Sequence, residues 1–226
     1  EARILLLARK YEEVHRVADE ALQRFSKDET LLRVKGITYL NQAKYHEAER
    51  IFRANIAANL DSISSYGYLS QALVAQGSID EALQVLQQGL QLRPNELLYT
   101  MLGSIKFSRG DFAAAAAAYQ QAASPSVGNP QNYETWMSLG EALMWVPGKQ
   151  ADGLAAYQKA QEVFEPRLKR RPNDAWYLAL MGKTHARLGN HVQAQELARR
   201  AVALAPQNNK VHLELASIYE LSGKRE

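Results

Sequence analysis

Four residues in the second half of the chain have the chemistry and the spacing of a binding surface. Met137, Glu141, Met144 and Trp145 occupy positions i, i+4, i+7 and i+8, which places them on one face of a helix. Methionine adapts its shape and tryptophan is flat, so this combination suits recognition of an apolar peptide segment. The same spacing also fits side chains that fill the core between packed helices. The sequence leaves both interpretations open.

Polar side chains recur at similar positions in successive segments of the chain. They are Asn41, Gln71, Ser104 and Glu141. The amides of asparagine and glutamine donate and accept hydrogen bonds, as an extended peptide backbone requires. We therefore expect these residues to fix the register of a bound peptide; the alternative is an ordinary solvated helix face.

Catalytic and metal-binding motifs are absent from the sequence. The chain has no cysteine, and its five histidines do not occur at the spacing of metal ligands. It also lacks a glycine-rich phosphate loop, a Gly-x-Ser-x-Gly turn and an aspartate-rich calcium loop. We therefore expect no enzyme activity, no cofactor and no bound metal.

Basic residues cluster between Arg167 and Arg171, and again at Arg199 and Arg200. Such a cluster could bind an acidic partner or phosphate groups. We favour the alternative that these cations lie at helix C-termini, where the helix dipole stabilises positive charge. The net charge of +3 is too small to indicate nucleic-acid binding by itself.

The elements that position these residues follow a repeat. Small residues recur at steps of 33 to 42 residues, at Ala2, Gly36, Ser70, Gly103, Gly140, Gly182 and Ala216. A second series follows five of these by about twelve residues, at Ala48, Ala82, Ala115, Gly153 and Ala194. Self-similarity at this period is typical of stacked helix pairs, in which a small residue lets two helices cross closely.

The repeat resembles the tetratricopeptide repeat family. That family has the pattern Trp-x2-Leu-Gly-x2-Tyr, followed by Ala-x3-Phe. Trp136-x2-Leu139-Gly140 is the best match to its first part, and Ala48-x3-Phe52 matches its second part. The resemblance covers essentially the whole chain. It implies an all-α fold, a right-handed superhelical solenoid of stacked antiparallel helix pairs.

The resemblance also predicts the repeat units. We expect residues 1–226 to form one solenoid segment of a longer protein, with units at about 1–28 (partial), 29–62, 63–95, 96–132, 133–174, 175–208 and 209–226 (partial). The step from Gly140 to Gly182 is eight residues longer than the common step of 34. Most of this excess fits a second helix lengthened by about two turns, which Pro166 should kink or split.

In the family that the chain resembles, the first helix of each unit lines a concave surface. By register, the resemblance predicts a peptide-binding surface of Arg33, Asn41, Tyr68, Gln71, Thr100, Met101, Ser104, Phe107, Met137, Glu141, Met144, Trp145, Trp176, Leu180, Lys183 and Arg187. Some members bind acidic chaperone termini through a clamp of Lys, Arg and Asn. Only Arg33 matches that clamp chemically, so we reject that particular function.

We therefore expect a non-catalytic protein–protein interaction module that binds a peptide or protein segment in its concave groove. One alternative is a regulatory or sensor segment of a larger signalling protein. Another is self-association through the partial terminal repeats, where Leu213, Leu215, Ile218 and Tyr219 should be exposed. An RNA-binding helical repeat is a minor alternative, because the expected groove has mixed charge. No apolar run is long enough for membrane insertion, and the cytoplasm is the favoured compartment.

Overall fold

The computed structural model describes residues 10–59 and 61–223, and all regular secondary structure in these two stretches is α-helical. The all-α fold expected from the repeat is thus confirmed. The chain packs into two compact units, Glu1–Arg109 and Gly110–Glu226. The prediction of one array over 1–226, with its unit boundaries, stays a prediction.

In its described residues, the first unit contains six helices joined by short turns. They are α1 (Tyr11–Leu22), α2 (Glu29–Asn41), α3 (Tyr45–Ala58), α4 (Ile63–Ala75), α5 (Ile79–Leu92) and α6 (Glu96–Ser108). Neighbours along the chain pack against each other, and α4 also packs against α6. Phe52, Tyr66, Leu73, Leu86 and Leu98 form a shared core.

The second unit also contains six helices in its described residues. They are α7 (Phe112–Ala122), α8 (Tyr133–Met144), α9 (Gln150–Arg170), α10 (Ala175–Arg187), α11 (His191–Leu204) and α12 (Asn209–Leu221). Here α8 packs against both α7 and α9, and α10 packs against both α11 and α12. This arrangement places α8, α10 and α12 as the first helices of successive pairs.

Local sequence signals explain where several helices begin and end. The carboxylate of Asp28 accepts a hydrogen bond from the Leu31 backbone N–H at 2.8 Å, and that of Asp174 does the same for Tyr177 at 3.1 Å. These are helix N-caps, which satisfy backbone donors that have no partner within the helix. At Gly148, a backbone φ of +77° turns the chain from α8 into α9.

Close helix crossing explains the repeated small residues. A Cβ atom on Gly140 of α8 would lie 2.9 Å from the ring of Tyr157 and 3.1 Å from the Gly153 carbonyl oxygen on α9. In the first unit, a Cβ on Gly36 would lie 2.6 Å from the ring of Phe52. The small residue and the aromatic residue of one helix pair therefore fit together, because the aromatic ring occupies the space that a larger side chain in place of the small residue would need.

Pro166 does not split the lengthened helix, so that part of the sequence prediction is wrong. Helix α9 continues through it for 21 residues. Packing of the last turns compensates for the lost backbone hydrogen bond. Phe164 is buried edge-on against Tyr133, with ring centroids 4.4 Å apart. The Arg167 guanidinium lies 5.1 Å from the centre of the Tyr133 ring and donates to the Gln131 carbonyl oxygen at 2.8 Å.

The last helix, α12, is only partly exposed. Leu213 is 71% exposed, as expected for a partial terminal repeat. Ile218 is fully buried against Ala194 and Ala198 of α11, so its expected exposure is wrong. Self-association through this end stays a prediction.

We expect Gly140→Val to destabilise the second unit by about 1–3 kcal/mol, because the added methyl groups collide with Tyr157 and the backbone of α9. Ala151→Val on the exposed face of α9 is the matched control and should change stability by about 0.5 kcal/mol or less. Guanidinium unfolding followed by far-UV circular dichroism measures both. Equal unfolding midpoints for the two variants would contradict the close crossing.

Candidate functional site

A cleft of about 430 Å³ lies among α8, α9, α10 and α12 of the second unit. We call it the cleft. Its lining combines apolar, hydroxyl and charged side chains: Glu134, Met137, Ser138, Glu141, Tyr157, Leu180, Lys183, Arg187 and Ser217. Helices α8, α10 and α12 supply all of these residues except Tyr157, which comes from α9. The cleft therefore brings together first helices of successive pairs.

Glu141 is the centre of a hydrogen-bond network that crosses the cleft. Nη2 of Arg187 donates to the two carboxylate oxygens of Glu141 at 2.5 and 2.6 Å. The Tyr157 hydroxyl donates to Oε2 of Glu141 at 2.6 Å. The side chains of Arg187 and Glu141 are only 20% and 25% exposed. Partial burial strengthens such charge-assisted bonds, so the network fixes α8, α9 and α10 around one carboxylate.

Burial, reinforced by the hydrogen bond to Glu141, raises the pKa of the Tyr157 hydroxyl well above its ordinary value. The hydroxyl therefore stays protonated at physiological pH and acts as a permanent donor to the carboxylate. The geometry makes Tyr157 a positioning residue for Glu141, and it leaves the phenol no role as an acid or a base near neutral pH.

Both cations of the cleft have acidic partners within the chain. Arg187 is bound to Glu141, and Nζ of Lys183 lies 3.1 Å from the Glu214 carboxylate of α12. An acidic ligand would have to compete with these carboxylates. The rest of the lining is apolar or hydroxylated: Leu180 is 7% exposed, and Met137 packs against the core around Tyr133.

The structure separates the four residues predicted to share one face of α8. Met137 and Glu141 line the cleft. Met144 is the last residue of α8 and its Sδ lies next to Gly153 of α9, at 3.0 Å from the position of a Cβ there. Trp145 follows the end of α8, is 60% exposed, and stacks on Phe112 with ring centroids 5.4 Å apart. Met144 and Trp145 lie about one turn beyond Glu141, and this difference places Met144 at the helix crossing and Trp145 at the surface instead of in the cleft.

The other predicted residues have varied surroundings. Trp176 packs in the core of the second unit with Leu178 and Leu197. In the first unit, Tyr68 stacks on Phe52 at 5.5 Å. Half-buried side chains there are Arg33, Thr100, Met101 and Phe107, and exposed ones are Asn41, Gln71 and Ser104. A binding role for these residues stays a prediction.

Sequence reasoning missed four residues of the cleft, namely Glu134, Ser138, Tyr157 and Ser217. One signal could have found Tyr157. Tyr157 occupies the same position in its repeat that the aromatic Phe52 occupies in an earlier repeat. A tyrosine hydroxyl needs a hydrogen-bond partner when the ring is buried, so Tyr in place of Phe indicates a polar group nearby. The serines gave no such signal.

Other candidate features in the described part of the second unit have local partners. Arg200 donates to the Pro172 carbonyl oxygen at 3.4 Å, and Lys169 lies 3.4 Å from the Glu165 carboxylate. Burial lowers the pKa of His185. Within residues 10–59 and 61–223, no three acidic, histidine or cysteine side chains are grouped as metal ligands. Across the same residues, each helix is too short or too polar to cross a bilayer.

Comparison with known proteins agrees with the helical repeat. Models of the tetratricopeptide repeat match residues 33–96, 98–124 and 133–207. Over 216 residues the chain is 25% identical to cellulose synthase operon protein C of Xanthomonas axonopodis pv. citri (strain 306). The aligned region covers 91% of the chain and 14% of that protein. Over 161 residues it is 27% identical to the BBSome complex member BBS4 of Mus musculus, covering 70% of the chain and 28% of that protein. The chain thus spans less than a third of either relative.

A solved structure shows the same fold. The crystal structure of PilW, a type IV pilus biogenesis factor, superposes with a TM-score of 0.69 at 19% identity. The superposition covers 96% of this chain and 94% of PilW.

We expect Glu141→Gln to destabilise the protein by about 1.5–3 kcal/mol, because the half-buried Arg187 loses its charged partner. Glu162→Gln on α9 is the matched control. Its carboxylate belongs to an exposed pair with Lys159, so its loss should cost about 0.5 kcal/mol or less. Urea unfolding measures both variants. A Glu141→Gln protein as stable as the control would contradict the network.

Proposed function

The chain belongs to the tetratricopeptide repeat family, and we propose that it is a non-catalytic scaffold that binds an extended segment of a partner protein in the cleft. Membership of the family supports the role of a protein-interaction scaffold. The finer assignment, a peptide in the cleft, depends on the cleft's geometry and chemistry.

One observation carries the proposal. Five of the residues predicted to bind peptide line one cleft although they are up to 50 residues apart in sequence, namely Met137, Glu141, Leu180, Lys183 and Arg187. The network among Glu141, Tyr157 and Arg187 holds the walls in place before a ligand arrives. A preformed site limits the ordering cost of binding.

The lining indicates what kind of segment fits. Met137 and Leu180 offer apolar surface for one side chain of the ligand. Ser138 and Ser217 offer hydroxyls that can donate to or accept from an extended backbone. Arg187 and Lys183 are held in ion pairs whose side chains are largely buried, and an acidic ligand would have to break these pairs, so the cleft does not select for an acidic ligand. We therefore propose an extended segment with a central apolar side chain and no acidic requirement.

Selection from a peptide library tests the proposal. We expect the intact chain to enrich a motif with one apolar anchor. Met137→Ala should weaken binding of the selected peptide about tenfold, since it removes apolar contact worth about 1.4 kcal/mol. Ser217→Tyr should weaken it further by filling the cleft.

Trp145→Ala is the matched control, because Trp145 is a large exposed side chain of the same unit that lies outside the cleft. Circular dichroism must show all three variants folded. Enrichment of peptides that bind Met137→Ala and Ser217→Tyr as tightly as the unchanged chain would overturn the proposal.

A further inference from the structure

The face of α8 opposite the cleft borders a second and larger depression, of about 740 Å³. We call it the furrow. Helices α7 and α9 form its walls and α8 forms its floor. At 100° per residue, the α8 side chains that line the furrow are roughly opposite to those that line the cleft. The two sites therefore use separate surfaces of the second unit.

Five alanines line the walls of the furrow. Ala113, Ala116 and Ala117 line it from α7, and Ala155 and Ala156 line it from α9. Within the alanine run 113–118, Ala115, Ala116 and Ala118 are buried, whereas Ala113 and Ala117 are exposed. Because the side chains of the five alanines that line the furrow end at Cβ, space remains between the two helices.

The floor of the furrow is apolar and has no polar group that needs a ligand. Leu139 and Leu143 contribute aliphatic surface, and Trp136 contributes its ring. The indole N–H of Trp136 donates to the Pro130 carbonyl oxygen at 2.9 Å. The ring can therefore be covered without leaving a buried donor unsatisfied.

A stacked aromatic pair with one exposed member adjoins the furrow. Trp145 is 60% exposed and stacks on Phe112. The residues that follow these two in sequence, Val146 and Ala113, both line the furrow. Exposed tryptophan beside an apolar depression is typical of the side chains that dominate binding energy at protein interfaces.

Charged side chains line the furrow at the start of α9 and along it. Lys149 immediately precedes the helix, Asp152 and Lys159 lie on it, and Gln120 of α7 is the remaining polar residue of the lining. Lys149 pairs with Asp152 at 2.9 Å, and Lys159 pairs with Glu162 at 2.8 Å, with all four side chains about half exposed or more. Such surface pairs are weak. A lysine ammonium has three donors, so each can also bind a carboxylate of a partner.

We propose that the furrow docks an amphipathic α-helix of a partner protein, with a narrow apolar stripe on the alanine walls and acidic residues paired with Lys149 and Lys159. Lys149 is the residue before α9, and Lys159 lies ten residues further on, about 15 Å along the helix axis. A helix lying beside α9 presents carboxylates at that distance when they are about 10 or 11 residues apart.

The polarity of the furrow favours a helix over an extended peptide. An extended backbone would bury its N–H and C=O groups against alanine, leucine and tryptophan, where they find no partners. A helix satisfies these groups internally. The cleft differs on this point, because its serines can bond to an extended backbone. The proposal is thus independent of the function proposed for the cleft.

The probe is a synthetic amphipathic peptide of about 20 residues, long enough for measurable helicity, with a stripe of Leu and Ala and two Glu about 11 positions apart. A second peptide carries Lys in place of both Glu, and a third carries two central prolines that prevent a helix. We expect the first peptide to bind the intact chain in the micromolar range by fluorescence anisotropy, and each of the others to bind about tenfold more weakly or not at all.

Variants of the protein locate the binding. Ala117→Arg places a long side chain in the furrow from an exposed position, and Lys149→Glu with Lys159→Glu reverses the charges. Each should weaken binding of the first peptide at least about tenfold, whereas Lys169→Glu, an exposed control on α9, and Met137→Ala in the cleft should not. Circular dichroism confirms folding. Absence of binding, equal binding of the proline peptide, or binding unchanged in both furrow variants would overturn the proposal.

Discussion

The close crossing of α8 and α9 at Gly140 and Gly153 is the constraint on which the rest of the second unit depends. It places Tyr157 against Gly140, within reach of Glu141 one residue further along α8. Glu141 in turn binds Arg187 of α10, so one hydrogen-bonded carboxylate links three helices. A larger residue at either glycine would move the tyrosine away, and the cleft would lose the group that holds its walls.

The crossing also gives α8 two binding surfaces of different character. One side of the helix faces the cleft, where serines, paired charges and a methionine suit an extended segment. The other side forms the floor of the furrow, where alanine walls and an apolar floor suit a helix. Both surfaces follow from the same packing, because a helix between two neighbours is covered only along the stripes that they contact. The polarity of each uncovered stripe of α8 decides which kind of partner that stripe can bind.

The spacing of small and large residues was sufficient to predict the fold. The repeat pairs Gly36 with Phe52 and Gly140 with Tyr157, and this register alone implies a close helix crossing. In the structure, the two members of each pair lie against each other across one helix pair. The cleft was predicted only in part. Met137, Glu141, Lys183 and Arg187 follow from register on first helices, but Ser217 and Glu134 do not. Trp145 shares its helical phase with Met137 and Glu141, yet α8 ends before it. Pro166 predicted a kink or a split in α9, and the split does not occur, because tertiary packing of Phe164 and Arg167 outweighs one missing hydrogen bond.

The central claim is that a partner segment occupies the cleft, and NMR of the isotope-labelled chain with a selected peptide tests it most directly. The account predicts that the methyl resonance of Met137 and the amide resonances of Ser138 and Ser217 shift in a saturable way, while the indole resonance of Trp145 does not. Saturable shifts confined to the first unit, or shifts at Trp145 with none at Met137, would contradict it.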